Sequence, residues 1–119
     1  MEFKHDVVDH RILLISMSGD LIGENNGPEL FKLVNSKIEE GLHNCAVDLS
    51  HVRYMNSSGI GILITLLTKF RNREGEMVLI KPSENIRKLL IITKLNKIFT
   101  IHDSRDEAVN SLNSGRANQ

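Results

Sequence analysis

Apolar residues fall in short bursts whose spacing changes along the chain. Phe3 to Val8 and Ile12 to Met17 are apolar or β-branched runs separated by Asp9, His10 and Arg11, which predicts a hairpin. The next stretch, SGDLIGENNG, breaks regular structure, with Gly23, Asn25, Asn26 and Gly27 as turn formers. Pro28 suits the first turn of a helix, and Leu30, Phe31, Val34 and Ile38 recur at helical spacing as far as Gly41. CAVDLS predicts a short strand. Helical spacing returns with Ile60, Leu63, Ile64, Leu67 and Phe70 on one face and Gly75 as the stop. EMVLIK predicts a strand, and Ser83 caps a helix carrying Ile86, Leu89, Leu90 and Thr93. KIFTIH is the last predicted strand. Asp103, with Asp106 three residues on, suits the start of a final helix bearing Ala108, Val109 and Leu112. SGRANQ ends the chain as a frayed tail, so one domain is expected over residues 1–113 and a flexible tail over 114–119.

The expected order is ββαβαβαβα. Strands that alternate with helices after a starting hairpin predict an α/β domain with right-handed crossovers and parallel pairing among the later strands.

Composition narrows the function classes. A chain of 119 residues with 40% apolar residues can bury a core without metal or disulfide staples. Lys+Arg and Asp+Glu balance at 15 each, so no basic field attracts nucleic acid, and Lys69, Arg71 and Arg73 sit beside Glu74 and Glu76. Those cations suit the C-terminus of a helix. The lone Cys45 precludes an intrachain disulfide or a paired-cysteine zinc site, and the five histidines have no metal-ligand spacing. No metal and no cofactor are expected. The acidic start MEFKHDVVDH is unlike a signal peptide, and IGILITLL is far shorter than the ~20 residues that cross a bilayer. A soluble cytoplasmic domain is expected, with no membrane insertion.

The chemistry concentrates in YMNSSGIGIL, residues 54–63. One role for Ser57 or Ser58 is to cap the helix, contributing about 1 kcal/mol. A catalytic role fits poorly. A nucleophile elbow needs G-x-S-x-G, whereas Ser57 is flanked by Met55 and Gly59 and Ser58 by Asn56 and Ile60. His51 is the nearest histidine, with nothing to mark it as a positioned base. Gly59 and Gly61 lack the third glycine and the lysine of a phosphate loop, and close packing of the helix start on the sheet accounts for both. The third role is modification: a serine at the N-terminus of a helix, beyond a parallel strand, occupies the sheet edge where α/β folds present ligands. A phosphate there adds about −1.5 to −2 charges that a docked partner would have to desolvate. Ile62 and Leu66, one turn apart, form a flanking apolar face that either docks such a partner or widens the buried stripe.

DLSHVRYMNSSGIGILI, followed by GEMVLIKPSENIRKLLIITKLNKIFTIHDSRDEAV, resembles the STAS-domain anti-sigma factor antagonists of bacteria. The resemblance spans about Gly19 to Val109, and its most specific part is the family pattern D-L-S/x-V/L-x-Y/F-M-D-S-S/T-G-L/I-G. It implies a STAS-like fold, a small mixed sheet with helices mainly on one face. It also implies a non-enzymatic role in partner switching, as a monomer or weak dimer. In the family, the unphosphorylated antagonist binds a serine-kinase anti-sigma factor and frees the sigma factor; the kinase phosphorylates the serine after the motif's Asp, and a phosphatase reverses this. By position that serine is Ser57, with Asn56, Ser58, Gly59, Ile62, Leu66 and Glu24 expected at the partner surface. Ser58 is then the expected cap. Asn56 stands in place of the motif's Asp, and Ile22 in place of the second acid of the family's G-E-L/I-D segment, with Glu24 the nearby carboxylate. Other STAS domains serve as adaptor subunits of lipid-transport or stressosome-like complexes without a working phosphosite, the alternative expectation.

Overall fold

The computed structural model describes residues 1–22 and 27–117. The elements follow the order β1 (Glu2–Val8), β2 (Ile12–Leu21), α1 (Gly27–Glu39), β3 (Asn44–Met55), α2 (Ser57–Arg71), β4 (Glu76–Ile80), α3 (Glu84–Ile92), β5 (Thr100–His102) and α4 (Arg105–Ala117). The sheet order is β1-β2-β3-β4-β5, with β1 antiparallel to β2 and the other neighbours parallel. Each parallel crossover steps one strand in the same direction. Crossovers of one hand therefore place α1, α2 and α3 on the same face of the sheet. α4 follows the last strand and returns over the opposite face.

Strand alternation supplies both cores. Leu13, Ile15 and Met17 of β2, Cys45, Val47 and Leu49 of β3, and Met77 and Leu79 of β4 point toward α1–α3. Ile12, Leu14, Ala46, Val78 and Ile80 point the other way, onto Ala108 and Leu112 of α4. This is the expected mixed sheet with helices mainly on one face.

Several boundaries depart from the pattern in the sequence. β2 continues through Ser18, Gly19 and Asp20 to Leu21, where a break was expected. β3 runs past Ser50 to Met55, because its pairing with β2 absorbs extra residues between Asp48 and His51 and between Val52 and Tyr54. Such bulges interrupt the alternation that marks a strand. KIFTIH is a strand only from Thr100; Leu95–Lys97 form a 3₁₀ turn. The final helix is capped one residue later than expected. Ser104 Oγ accepts from the Glu107 N–H (3.1 Å), while the Asp103 carboxylate pairs with Arg87 (3.2 Å). α4 continues to Ala117, into the segment expected as a tail. Ser83 caps α3 as expected, accepting from the Ile86 N–H at 3.4 Å.

Gly75 acts differently from the expected helix stop. Glu74 takes the left-handed conformation (φ 61°) that closes α2, and the Gly75 N–H donates to the Phe70 carbonyl at 2.9 Å. A β-carbon on Gly75 would lie 2.6 Å from the His43 carbonyl carbon, so close approach to the strand-α1 junction requires glycine there.

Candidate functional site

β2 and β3 end side by side, Leu21 opposite Met55, and α2 starts two residues after Met55. The Asn56 N–H reaches back to the Leu21 carbonyl (3.4 Å) and its backbone is extended (φ −102°, ψ −176°). This geometry makes Asn56 the N-cap. Its Oδ1 accepts from the Gly59 N–H at 2.9 Å and from the Ser58 hydroxyl at 2.7 Å. The expectation that a serine caps α2 is thereby corrected, for Ser58 as for Ser57: both already belong to the helix, and the cap belongs to the last extended residue.

Ser57 occupies the first position of α2 and is exposed. Its hydroxyl has no hydrogen-bond partner among the described residues, whereas Ser58 is half-buried and bonded. Gly59 is buried, and a side chain there would run into the backbone of Leu21. The expected role in close packing holds for Gly59 and not for Gly61, around which a β-carbon would meet nothing within 4 Å. The first turn of α2 carries no acidic residue, so the positive end of its dipole faces outward without a carboxylate of its own.

Of the two roles expected for Ile62 and Leu66, the docking face is overturned and the widened buried stripe is what the fold forms. Ile62 is 4% exposed and Leu66 0%, both within the core under α1–α3. The buried set of α2 is Gly59, Ile62, Leu63, Leu66, Leu67 and Phe70, while Ile64, expected in the core, is exposed. Among the described residues, the large apolar side chains that are exposed include Ile64 on α2, Ile91 and Ile92 on α3, and Tyr54 next to the α2 start, with Val7 and Ile98 elsewhere.

Beside this start, Asp20 pairs with Arg53 across the ends of β2 and β3 (3.3 Å). Ile22, at the place of the missing family acid, is half-buried and lines a shallow groove with Met1, Asp20 and Arg53. Glu24 lies outside the described residues. His51 is no partner for either serine of the motif; its Nδ1 is 3.1 Å from Ser50 Oγ.

One arrangement had no marker in the sequence. On the α4 face, beyond the part of the sheet that α4 covers, a cleft of about 720 Å³ is lined by Lys4, Ser16, Ser18, Asp48, His51 and Arg105 among others. Partial burial pushes the Asp48 carboxyl up, but hydrogen bonds from the Ser50 hydroxyl and N–H outweigh that, together with Arg105 at 3.6 Å. The net effect holds it below the ordinary carboxylate value. The bulge after Asp48 brings the Ser50 N–H onto the carboxylate, and Arg105 arrives from the far end of the chain.

Comparison with known proteins gives the family and the fold. The model of the STAS domain matches residues 5–108. A protein of Bordetella bronchiseptica named as a candidate anti-sigma factor antagonist, BtrV, is 23% identical over 108 residues, covering 91% of each chain. The anti-sigma-B factor antagonist of Staphylococcus epidermidis is 28% identical over 79 residues, 66% of this chain and 73% of its own. Among solved structures, the anti-sigma factor antagonist SpoIIAA in its unphosphorylated form superposes with a TM-score of 0.80 at 18% identity, over 95% of this chain and 97% of that one. SpoIIAA in the phosphorylated form gives 0.72, at 18% identity over 92% and 98%. Among the described residues no helix is long and apolar enough to cross a membrane, and no group of His, Cys, Asp and Glu has the geometry of a metal site.

Proposed function

The chain belongs to the STAS domain family, and from that premise we propose that it is an anti-sigma factor antagonist working by phosphorylation-controlled partner switching. Unphosphorylated, it binds a serine-kinase anti-sigma factor through the surface around the start of α2. The kinase then phosphorylates Ser57, and a phosphatase restores the binding form. The observation that carries the reading is the division of labour at residues 56–59. Asn56 caps the helix, Ser58 braces the cap, Gly59 seats the helix on β2, and Ser57 is left exposed with no structural bond among the described residues.

The physics of the switch follows from that position. A phosphate on Ser57 would sit at the positive end of the α2 dipole, where an anion gains up to roughly 2 kcal/mol in good geometry. The domain therefore tolerates the modified state. A partner covering the same surface would bury that charge, and a carboxylate facing it would be repelled. Phosphorylation thus works against the complex and leaves the fold intact. ATP is a substrate of the partner kinase, and this chain contributes the acceptor hydroxyl.

The test compares wild type with Ser57→Asp. Surface substitutions usually change stability by no more than about 0.5 kcal/mol, so thermal unfolding should be nearly unaltered. Affinity for a serine-kinase anti-sigma factor that binds the wild type, measured by calorimetry, should fall about tenfold or more. Equal affinity for the two proteins would reject the reading, and a large stability loss would make Ser57 structural.

A further inference from the structure

The two edges of the sheet are unequal. β5 is three residues long and offers little for another chain to pair with. β1 runs seven residues in unbroken register with β2, contains no proline or bulge, and is paired on one side only among the described residues. Edges of that kind are ordinarily blunted. Lys4 has the look of such a guard, but Asp6 follows two residues later on the same face of the strand.

Backbone direction along β1 is fixed by two contacts. The Val8 carbonyl accepts from the Arg11 N–H across the turn (3.2 Å), so Val8 and the other even residues aim their main-chain groups at β2. The Val7 N–H lies off that ladder and donates to the Asp6 carboxylate instead (2.8 Å). Phe3, His5 and Val7 therefore present their N–H and C=O groups to the free edge. Side-chain faces alternate as well: Phe3 packs toward α1–α3, while Lys4 lines the open cleft on the α4 face.

Two copies that extend one sheet through this edge are related by a two-fold axis perpendicular to it, so one residue of β1 must face itself. An axis at Lys4 sets lysine against lysine and Glu2 against Asp6. An axis at Asp6 sets aspartate against aspartate. An axis at His5 sets Lys4 against Asp6 on one face, in both directions, and Phe3 against Val7 on the other. In that register each outward-facing residue also finds a main-chain partner, His5 with its own copy and Phe3 with Val7.

We propose that β1 is a homodimerisation edge, pairing antiparallel with a second copy in the register centred on His5. In the free chain Asp6 occupies the Val7 N–H. On association that N–H passes to the Phe3 carbonyl of the other copy and the Asp6 carboxylate turns to its Lys4. The open α4-side cleft beside β1 leaves room for the approach, and the α2 start at the end of β3 is not used.

Sedimentation across a concentration series should show wild type passing from monomer to dimer. Lys4→Glu or Asp6→Lys each places like charges opposite one another twice, and each should weaken the dimer roughly tenfold. Mixing the two variants restores opposite charges at both pairs, so the mixture should dimerise about as well as wild type. His5→Cys should oxidise to a disulfide-linked dimer, since facing residues of a hydrogen-bonded antiparallel pair lie about 5.5 Å apart at Cα, within disulfide range. A wild type that stays monomeric to millimolar concentration would overturn the proposal. So would single variants that dimerise unimpaired, a mixture no tighter than its components, or a His5→Cys variant that does not cross-link.

Discussion

Gly59 meets Leu21 so closely that a β-carbon on Gly59 would lie 2.8 Å from the Leu21 carbonyl carbon and closer still to its oxygen. Main chain, not a flexible side chain, stands in the way. Gly59→Ala must therefore push α2 away from β2, and urea unfolding should register a loss of about 2–4 kcal/mol. Gly61, two residues on, has open space at the same position. Gly61→Ala should be neutral or stabilising by up to about 1 kcal/mol, since glycine is costly inside a helix. Equal losses for the two would contradict this assignment of the glycines.

Asn56 gives a second stability contrast. Its Oδ1 receives both the Gly59 N–H and the Ser58 hydroxyl. Asn56→Ala removes the cap and should cost about 1 kcal/mol. Asn56→Asp keeps the acceptor and adds a charge at the favourable end of the α2 dipole, a gain of about 0.3–1 kcal/mol. The same change supplies the family's acid. It should speed phosphorylation by a serine kinase whose other substrates carry that acid, because phosphoryl transfer depends on positioning and electrostatics. Thermal melts and single-turnover assays read the two effects separately.

Much of the fold was legible because local chemistry and tertiary packing agreed. Pro28, Ser83 and the turn at Asp9–His10 lie where their residue types predict, His10 and Asp9 both left-handed. β3 was legible only in its first half. Its bulges put Ser50, His51 and Arg53 in a row that has no period of two, although all belong to one strand. α2 was legible as a helix and ambiguous as a surface. It is apolar nearly all round, so two faces satisfy the same spacing, and the one chosen begins at Gly59, which carries no hydrophobic marker. That choice buried Ile62 and Leu66 and exposed Ile64. The position of Ser57 was readable from the motif, but the capping role of Asn56 depended on where β3 ends, and the Asp48–Arg105 contact joins residues far apart in sequence.

Asp48 makes stability depend on pH with a definite sign. Its folded carboxyl is held below the ordinary aspartate value, so the ionised form is favoured by the fold. That stabilisation is complete at pH values above the unfolded-state pKa of about 3.9 and is lost as pH falls through the lower folded value. Asp48→Asn should therefore destabilise the domain at neutral pH, with the difference from wild type shrinking in acid. Arg105→Gln should show the same trend more weakly, since the Ser50 hydrogen bonds remain. Denaturant titrations at several pH values test it, and a gap that widens in acid would contradict the assignment.

Partner switching by this domain rests on Ser57 as the proposed acceptor of a phosphate that controls binding. Single-turnover phosphorylation by a serine-kinase anti-sigma factor that binds this chain, followed by intact-mass and peptide mapping, tests it. One added phosphate is expected, located on Ser57 and absent from Ser57→Ala, with release of the kinase from the modified protein. Phosphate on Ser58, or a Ser57→Ala variant still modified, would overturn Ser57 as the site, and no modification by that kinase would leave a constitutive STAS adaptor in its place.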